Sequence, residues 1–573
     1  MKNIKIKITW RKYHRWFGLV LSVFMLVFCI SGIILNHRSL FRSCEVNRGW
    51  MPASYHIQNF NNGIIKGTLA LRDAPFAVGK DSLGDDSTVG GNKVIAFGGA
   101  GVWLTDSLAK QWTDMNAGLP EGADNRNIRN VVQTADGSLW LAAQYDVYRY
   151  DGKQWQRVIL SGNEERITDV ALSKDSSQVV ALSRSKLYIV SCRETTSFRR
   201  GNYEFQPIKP RKLLLGVPKG YRPKTTLFKT VWNLHSGEFF GLPGKLVVDA
   251  IAIVLIILSL TGIILFILPY GIRSQKRKEN KEVMKKMGKK MVWNQKWHNK
   301  IGYATIVLTL WLAVSGMCLR PPLMIPLVLT KTSQSVVDGN VWHDKLRAIR
   351  WDAAENCWIV STSEGFLKVD EHFQKAPVFF DKDKAPSISP MGITVFEKIN
   401  DEKKVSQNGS LSNRQSGEWI IGSFSGLYRW NPQTGKVVDY FTGKKEEKKS
   451  MRPVSNSLVC GYSKDFFHGR NVIFDYSKGA EFLDSKPLET THVSSAHLNM
   501  PEALAQAKMS LWNVALELHV GRCYTPFLGP ISDLFVFISG LLISLVLLSG
   551  FIILRRQKRK RKLHAKRRAA EEK

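Results

Sequence analysis

Apolar positions follow two rhythms along this chain. The first is continuous: four runs, at 16–35, 246–268, 301–319 and 534–554, carry few polar residues. Each is close to the ~20 residues that a helix needs to cross ~30 Å of hydrocarbon. Core helices of soluble domains rarely run so long with so little polarity, so the runs predict four transmembrane helices. The first follows a basic segment, as a signal peptide does. It is long for a signal sequence, however, and passes into "NHRSLF" rather than a small-residue cleavage site, so it reads as an anchor.

The second rhythm fills the long stretches 38–233 and 321–518. Short β-type runs alternate with turn residues in "GVWLTDSLAKQW", "NIRNVVQTADGSLWLAA", "DVYRYDGKQW" and "ITDVALSKDSSQVVALSRSKLYIV". The second stretch repeats the pattern in "KLRAIRWDAAENCWIVSTSEGFLKVD", "GEWIIGSFSGLYRWNPQTGKVVDYF" and "LVCGYSKDFFHGRNVIFDY". Trp112 and Trp155 stand 43 residues apart, and a period of about 40–45 residues is that of propeller blades. Trp112, Trp140, Trp155, Trp358 and Trp419 are then expected in blade cores. Each stretch holds three or four such units, few for a fold that closes with about 4–8 blades, so one propeller shared by both stretches is expected. Polar insertions at 85–92, 401–417 and 443–450 interrupt the pattern, and the "NGS" at Asn408 is a chance sequon.

Charge then orients the chain. The formal net charge is +34, and three short pieces at 1–15, 271–297 and 555–573 hold 27 Lys and Arg against four acids. Each abuts an apolar run, which is the positive-inside pattern; no basic stripe interleaved with aromatics points to nucleic acid. The expected order is a cytoplasmic N-terminus (1–15), helix 1 (16–37), outer loop 1 (38–233) and an interfacial histidine segment with helix 2 (234–270). A cytoplasmic loop (271–297), helix 3 (298–320), outer loop 2 (321–518), a second histidine segment with helix 4 (519–554) and a cytoplasmic tail (555–573) follow. The fold class is a four-helix membrane bundle with an all-β domain outside the cytoplasm. Seven cysteines show neither a CxxC nor a zinc spacing. No Walker, Rossmann or HExxH motif appears, so no nicotinamide or flavin site is expected in the chain.

The membrane part repeats itself. "HRWFGLVLSVFMLVFCISG" and "HNKIGYATIVLTLWLAVSG" align His14 with His298, Gly18 with Gly302, and Ser31-Gly32 with Ser315-Gly316. "LHSGEFFGLPGKLVVD" and "LHVGRCYTPFLGPISD" align His235 with His519, Gly237 with Gly521 and Asp249 with Asp533. A further pair, Thr261-Gly262 and Ser549-Gly550, is displaced by four residues, about one helical turn. Gly18, Gly32, Gly302 and Gly316 are expected to let helices approach closely. Four histidines in register are more than interfacial anchoring requires, whereas His37 has Pro321 as its counterpart. Neutral imidazole is a strong axial ligand for haem iron, and facing helices of a bundle hold such cofactors. By topology His14 and His298 lie on the cytoplasmic side, and His235, His519 and His37 on the outer side. One bis-imidazole haem per side is the simplest arrangement, with His37 an alternative outer ligand. Asp249 and Asp533, in or beside apolar runs, are candidates for proton handling or for hydrogen bonding to a ligand histidine.

At these residues the sequence resembles the PepSY-associated transmembrane-helix family, whose two signature stretches are similar to "HRWFGL…SG" and "LHSGEFFGLPGKLVVD…LTGIILFI". The loops resemble propeller repeats of two-component sensor ectodomains, and no PepSY domain is visible in either. The family resemblance implies a protein of the bacterial inner membrane with two b-type haems and periplasmic loops. It implies outward electron transfer to ferric iron or a ferric siderophore for iron uptake, fed by a quinol or a separate reductase. The competing expectation is a receptor or scaffold, a propeller that binds a ligand while the helices only anchor it in the bilayer.

Overall fold

In the computed structural model the described residues are all except 1, 73–92, 159, 161–164, 193–195, 200–201, 206–207, 335–338, 388, 390–391, 400–416, 446–456, 484–489, 493–499 and 572–573. The insertion at 85–92, Asn408, and most of the insertions at 401–417 and 443–450 therefore lie outside them. The chain divides into a helical unit (1–41, 224–334, 511–573) and a β-rich unit (42–223, 335–510).

The helical unit contains α1 (Lys2–Asn36), α2 (Leu227–Ser236), α3 (Gly241–Arg277), α4 (Lys281–Ala304), α5 (Ile306–Met317) and α6 (Met324–Leu329). After the single-turn α7 (Glu502–Ala505) of the other unit come α8 (Leu511–His519), α9 (Thr525–Leu528) and α10 (Ser532–Glu571). Among the described residues three helical stretches are long and apolar enough to cross a membrane: Arg11–Asn36, Glu238–Arg277 and Arg522–Glu571. The third apolar run departs from expectation. It is not one helix but the pair α4 and α5, bent by 68° at Thr305. The N–H and the hydroxyl of Thr305 both bond the Ile301 carbonyl (3.0 and 2.9 Å), a back-bonded threonine of the kind that bends helices. Helices α1 and α3 share a core of Cys29, Ile251, Ala252 and Leu255, joined by Leu312 of α5 and Leu547 of α10. The apolar remainder, such as Val20, Ile267 and Val307, faces outward. So large an apolar surface fits lipid rather than water, and this is a membrane protein.

Among the described residues the two long stretches form four four-stranded antiparallel sheets and one eight-stranded sheet made of two four-stranded antiparallel halves, six such units in all and three from each stretch. The first three lie within 67–114, 130–158 and 167–213, the last three within 346–379, 395–439 and 459–492. The first and sixth are joined through one parallel pair, Gly67↔Tyr462, so that the two stretches meet in one eight-stranded sheet. Central strands are buried on both faces, as in "LWLA" (Leu139–Ala142) and "CWIVST" (Cys357–Thr362). That is why they read as unbroken apolar runs rather than as alternation. Each sheet shares an apolar cluster with the next, and the sixth shares one with the first. Trp140, Trp155, Trp358 and Trp419 are buried in these clusters as expected, and Trp112 packs at the edge of one. Trp342 and Trp430, also fully buried, belong with them; their indole N–H groups donate to the Gly216 and Lys384 carbonyls (both 2.8 Å). Cys29, Cys44, Cys318, Cys357, Cys460 and Cys523 are free thiols.

Candidate functional site

Two helices end where their histidines are needed. Thr226 caps the start of α2, its hydroxyl accepting from Lys229 N–H, and His235 falls in the last turn. Gly237 then stops the helix at φ +78°, and Gly521 does the same after α8 at φ +83°, two residues past His519. A side chain at Gly237 would also stand 2.3 Å from the Gly244 carbonyl, so glycine is required there twice over. His14 and His298 sit instead within α1 and α4.

Every one of the four imidazoles rests on a Ser/Thr-Gly pair of another helix. His14 Nδ1 bonds Ser549 Oγ (2.9 Å) and His298 Nδ1 bonds Thr261 Oγ1 (2.8 Å). His235 Nδ1 bonds Ser315 Oγ, and His519 Nδ1 bonds Ser31 Oγ (both 2.9 Å). The glycine that follows each hydroxyl residue lies under the ring. An added methyl at Gly316, Gly550, Gly32 or Gly262 would meet the Cε1 of its histidine at 2.8, 3.0, 3.4 or 3.7 Å. Gly32 and Gly316 thus make room for an imidazole, whereas Gly18 and Gly302 face Val546 and Leu258 and serve helix packing as expected. The seats are exchanged between the repeats. Histidines of the first copy rest on helices of the second, and the reverse.

Hydrogen-bond accounting fixes the tautomer. Each hydroxyl has one proton and gives it to a carbonyl of its own helix: Val27 (2.6 Å), Ile257 (2.6 Å), Leu312 (3.1 Å) and Val546 (2.8 Å). Its lone pair must then accept from the imidazole, so Nδ1 carries the hydrogen. Two carbonyls, which can only accept, confirm this at His14 (Val546, 3.1 Å) and His519 (Phe28, 3.1 Å). All four Nε2 atoms therefore present a lone pair, and none has a hydrogen-bond partner among the described residues. The rings of His235 and His519 lie 6.3 Å apart, centre to centre. Among the described residues no group of three or more His, Cys, Asp or Glu side chains is gathered as a metal site.

His37 stands apart. Its Nε2 is 2.5 Å from Asp249 Oδ2, and Asn36 Nδ2 donates to the other carboxylate oxygen at 3.1 Å. The two aspartates that sequence alignment equates are thus unlike. Asp249 is buried in this triad, while Asp533 is exposed, with Arg320 at 3.9 Å. The hydroxyl seats were visible in the sequence as repeated Ser/Thr-Gly pairs; their partners across the repeat were not.

A family profile described as "PepSY-associated TM region" matches residues 2–268 and again 271–557. No curated protein matches the sequence. Among solved structures, the extracellular domain of a one-component system of B. thetaiotaomicron aligns over 76% of this chain at 10% identity, with a TM-score of 0.31. A hybrid two-component ectodomain of the same organism aligns over 72% at 8% identity and a TM-score of 0.18. The chain spans about a third of each of them, 35% and 32%.

Proposed function

Given that this chain belongs to the PepSY-associated transmembrane family, we propose that it is a di-haem electron-transfer protein of the bacterial inner membrane. It reduces ferric iron or a ferric siderophore outside the cytoplasm for iron uptake. The observation that carries this reading is the uniform preparation of four imidazoles, each with Nδ1 spent on a hydroxyl and Nε2 free. Such second-contact bonding is what metal-ligating histidines require, because it sets the tautomer and the ring orientation.

The residues fit b-type haem. Two nitrogens bound to one metal at about 2 Å each set the ring centres roughly 6 Å apart, and His235 and His519 stand at 6.3 Å. His14 and His298 would hold one haem, His235 and His519 the other. His37, whose Nε2 is engaged by Asp249, is not needed for either. When bound, the two haems supply one-electron carriers across the low-dielectric interior. The chain's own part is to keep the imidazoles neutral and aimed. The His37–Asp249–Asn36 triad is the proposed group for holding or passing a proton. Fe(III) is a hard cation gripped by oxygen chelators, and Fe(II) is held less tightly, so reduction at the outer side releases it.

Positive flanks support a reading with both termini and the 271–297 loop in the cytoplasm and the β-rich unit in the periplasm. The closed succession of apolar clusters supports one six-bladed propeller, three blades from each loop. The deciding experiment is the optical spectrum of detergent-purified protein with and without dithionite. A reducible low-spin b-type spectrum with close to two haems per chain is expected. A colourless, fully folded preparation from haem-replete cells overturns the reading.

A further inference from the structure

Helix α4 has one buried residue, and it is polar. Asn294 is 4% exposed, whereas Lys289, Lys290, Trp293 and Lys296 of the same helix are exposed. Burying an amide costs free energy unless it is hydrogen-bonded, so packing alone does not call for one. Where α4 packs on α3 by shape it uses an apolar side chain, Met287, which lies over Gly271. The reason for an amide at position 294 lies in its partner.

Asn294 Nδ2 donates to the backbone carbonyl of Thr261 at 2.9 Å. Thr261 is also the residue whose hydroxyl accepts from His298 Nδ1 (2.8 Å). Its carbonyl has two lone pairs and can take this N–H beside the one from its own helix. Asn294 and His298 are four residues apart, so they lie one above the other on the same face of α4. Helix α4 therefore grips a single residue of α3 at two points, once on its side chain and once on its backbone. One bond alone would let α4 turn about Thr261. Two, rooted about 6 Å apart along α4, fix both its height and its rotation. The alignment that pairs His14 with His298 sets Trp10 opposite Asn294, so the first copy has no amide at this place. His14 is braced by its own ring, through the Val546 carbonyl (3.1 Å).

We propose that Asn294 is a positioning residue, which sets the orientation of the His298 imidazole by holding α4 to α3 at Thr261. The inference rests on the di-haem reading and deepens it, since Asn294 acts on one of the four imidazoles through another residue. Without the N–H donor, α4 keeps the bond from His298 and can turn about it, so the imidazole tilts while staying on its hydroxyl. A bond that only glued two helices together would behave differently. Its removal would cost a little stability and single out neither haem.

The test is electron paramagnetic resonance of the oxidised full-length protein in detergent, with the rate of haem loss to excess apomyoglobin measured alongside. Ferric haem held between two imidazoles gives a low-field signal whose position follows the angle between the ring planes. Asn294→Leu and Asn294→Asp both remove the N–H donor. Each should shift one of two such signals, the one that His298→Ala abolishes, and leave the other in place. Loss of that haem should quicken by about 2–10-fold, the equivalent of one hydrogen bond. Aspartate matches asparagine in shape, so a folding failure of the leucine variant leaves the test intact. Thr309→Val should move neither signal, because Thr309, though as deeply buried, gives its hydroxyl to the Thr305 and Ile306 carbonyls of the preceding turn (3.1 and 3.2 Å). The proposal is overturned if both signals stay in place in a folded two-haem variant, or if they move together. A colourless wild-type protein would instead overturn the di-haem reading, and this inference with it.

Discussion

Under each imidazole lies one hydroxyl and one missing methyl group, and these small features carry most of the site's specification. The four glycines form a graded series, because the added methyl would meet its ring at distances from 2.8 Å at Gly316 to 3.7 Å at Gly262. Gly316→Ala is therefore expected to displace His235 and remove the proposed outer haem, and Gly262→Ala to leave the spectrum unchanged, with Gly550 and Gly32 between them. Haem per chain, read by pyridine haemochrome, checks the order, and equal losses at all four would refute the ring-seat account. Removing a hydroxyl acts more gently. Ser31→Ala costs His519 one of its two Nδ1 partners, a bond of about 0.5–1.5 kcal/mol, and leaves the Phe28 carbonyl as the other. Haem affinity on that side should fall by about 10–100-fold, while Ser31→Thr should restore it. The ligands themselves divide by pair: His235→Ala and His519→Ala should delete the same haem, His14→Ala and His298→Ala the other, and His37→Ala neither. The histidines and the Ser31-Gly32 and Ser315-Gly316 pairs were legible in the sequence because they recur in register, and Thr261-Gly262 and Ser549-Gly550 because they recur four residues out of it. Who sits on whom was not, since that depends on helix packing between the copies. The slip between Thr261 and Ser549 is four residues. It amounts to one helical turn and keeps the hydroxyl on the same face.

At the scale of elements, the same hydrophobic run can hide either a straight helix or a broken one. Run 301–319 read as a single span, yet the helix turns by 68° at Thr305. Hydropathy reports which side chains avoid water and is silent about a hydroxyl that bonds its own backbone. The histidine segments each carry a glycine two residues past the histidine, and in the structure that glycine is where the helix stops. That stop sets the height of His235 and His519. Gly237→Ala forces a side chain into a left-handed backbone (φ +78°) and against the Gly244 carbonyl at 2.3 Å. A loss upward of about 1 kcal/mol is expected, with the His235–His519 haem lost before the fold unravels. Gly521→Ala, whose nearest neighbour is the Phe535 ring at 3.1 Å, should be milder. Thermal unfolding followed together at the haem band and by far-ultraviolet circular dichroism separates local from global loss. If both signals fall together in Gly237→Ala, the turn is part of the general core rather than a device for placing the ligand.

For the whole molecule, one step of 284 residues carries His14 to His298, Ser31 to Ser315, His235 to His519 and Asp249 to Asp533. The helical unit keeps this symmetry at its four imidazoles and departs from it at Asp249, whose partner His37 becomes Pro321 in the second copy. A departure inside an otherwise faithful repeat gives the two pairs of histidines different surroundings, and with them grounds for different potentials. The β-rich unit divides along the same line, with three four-stranded sets from each stretch, and their number was legible in the spacing of tryptophans and turns only to within one. Its cohesion, by contrast, depends on both stretches at once. The cluster of Val180, Leu182 and Ile189 needs Leu346, Ile349 and Trp358 of the second stretch. The cluster of Ile65, Val94 and Trp103 needs Phe474, Ala480 and Phe482. Either stretch alone would bare both of these faces and an unpaired strand edge at Gly67 or Tyr462. Residues 42–223 or 335–510 produced alone are therefore expected to aggregate or to remain molten, binding hydrophobic dye and lacking near-ultraviolet dichroism. Produced together they should form a one-to-one complex with a single cooperative unfolding transition. A soluble, cooperatively folding unit from either stretch by itself would show that the halves are separate domains, and would leave the histidine site untouched.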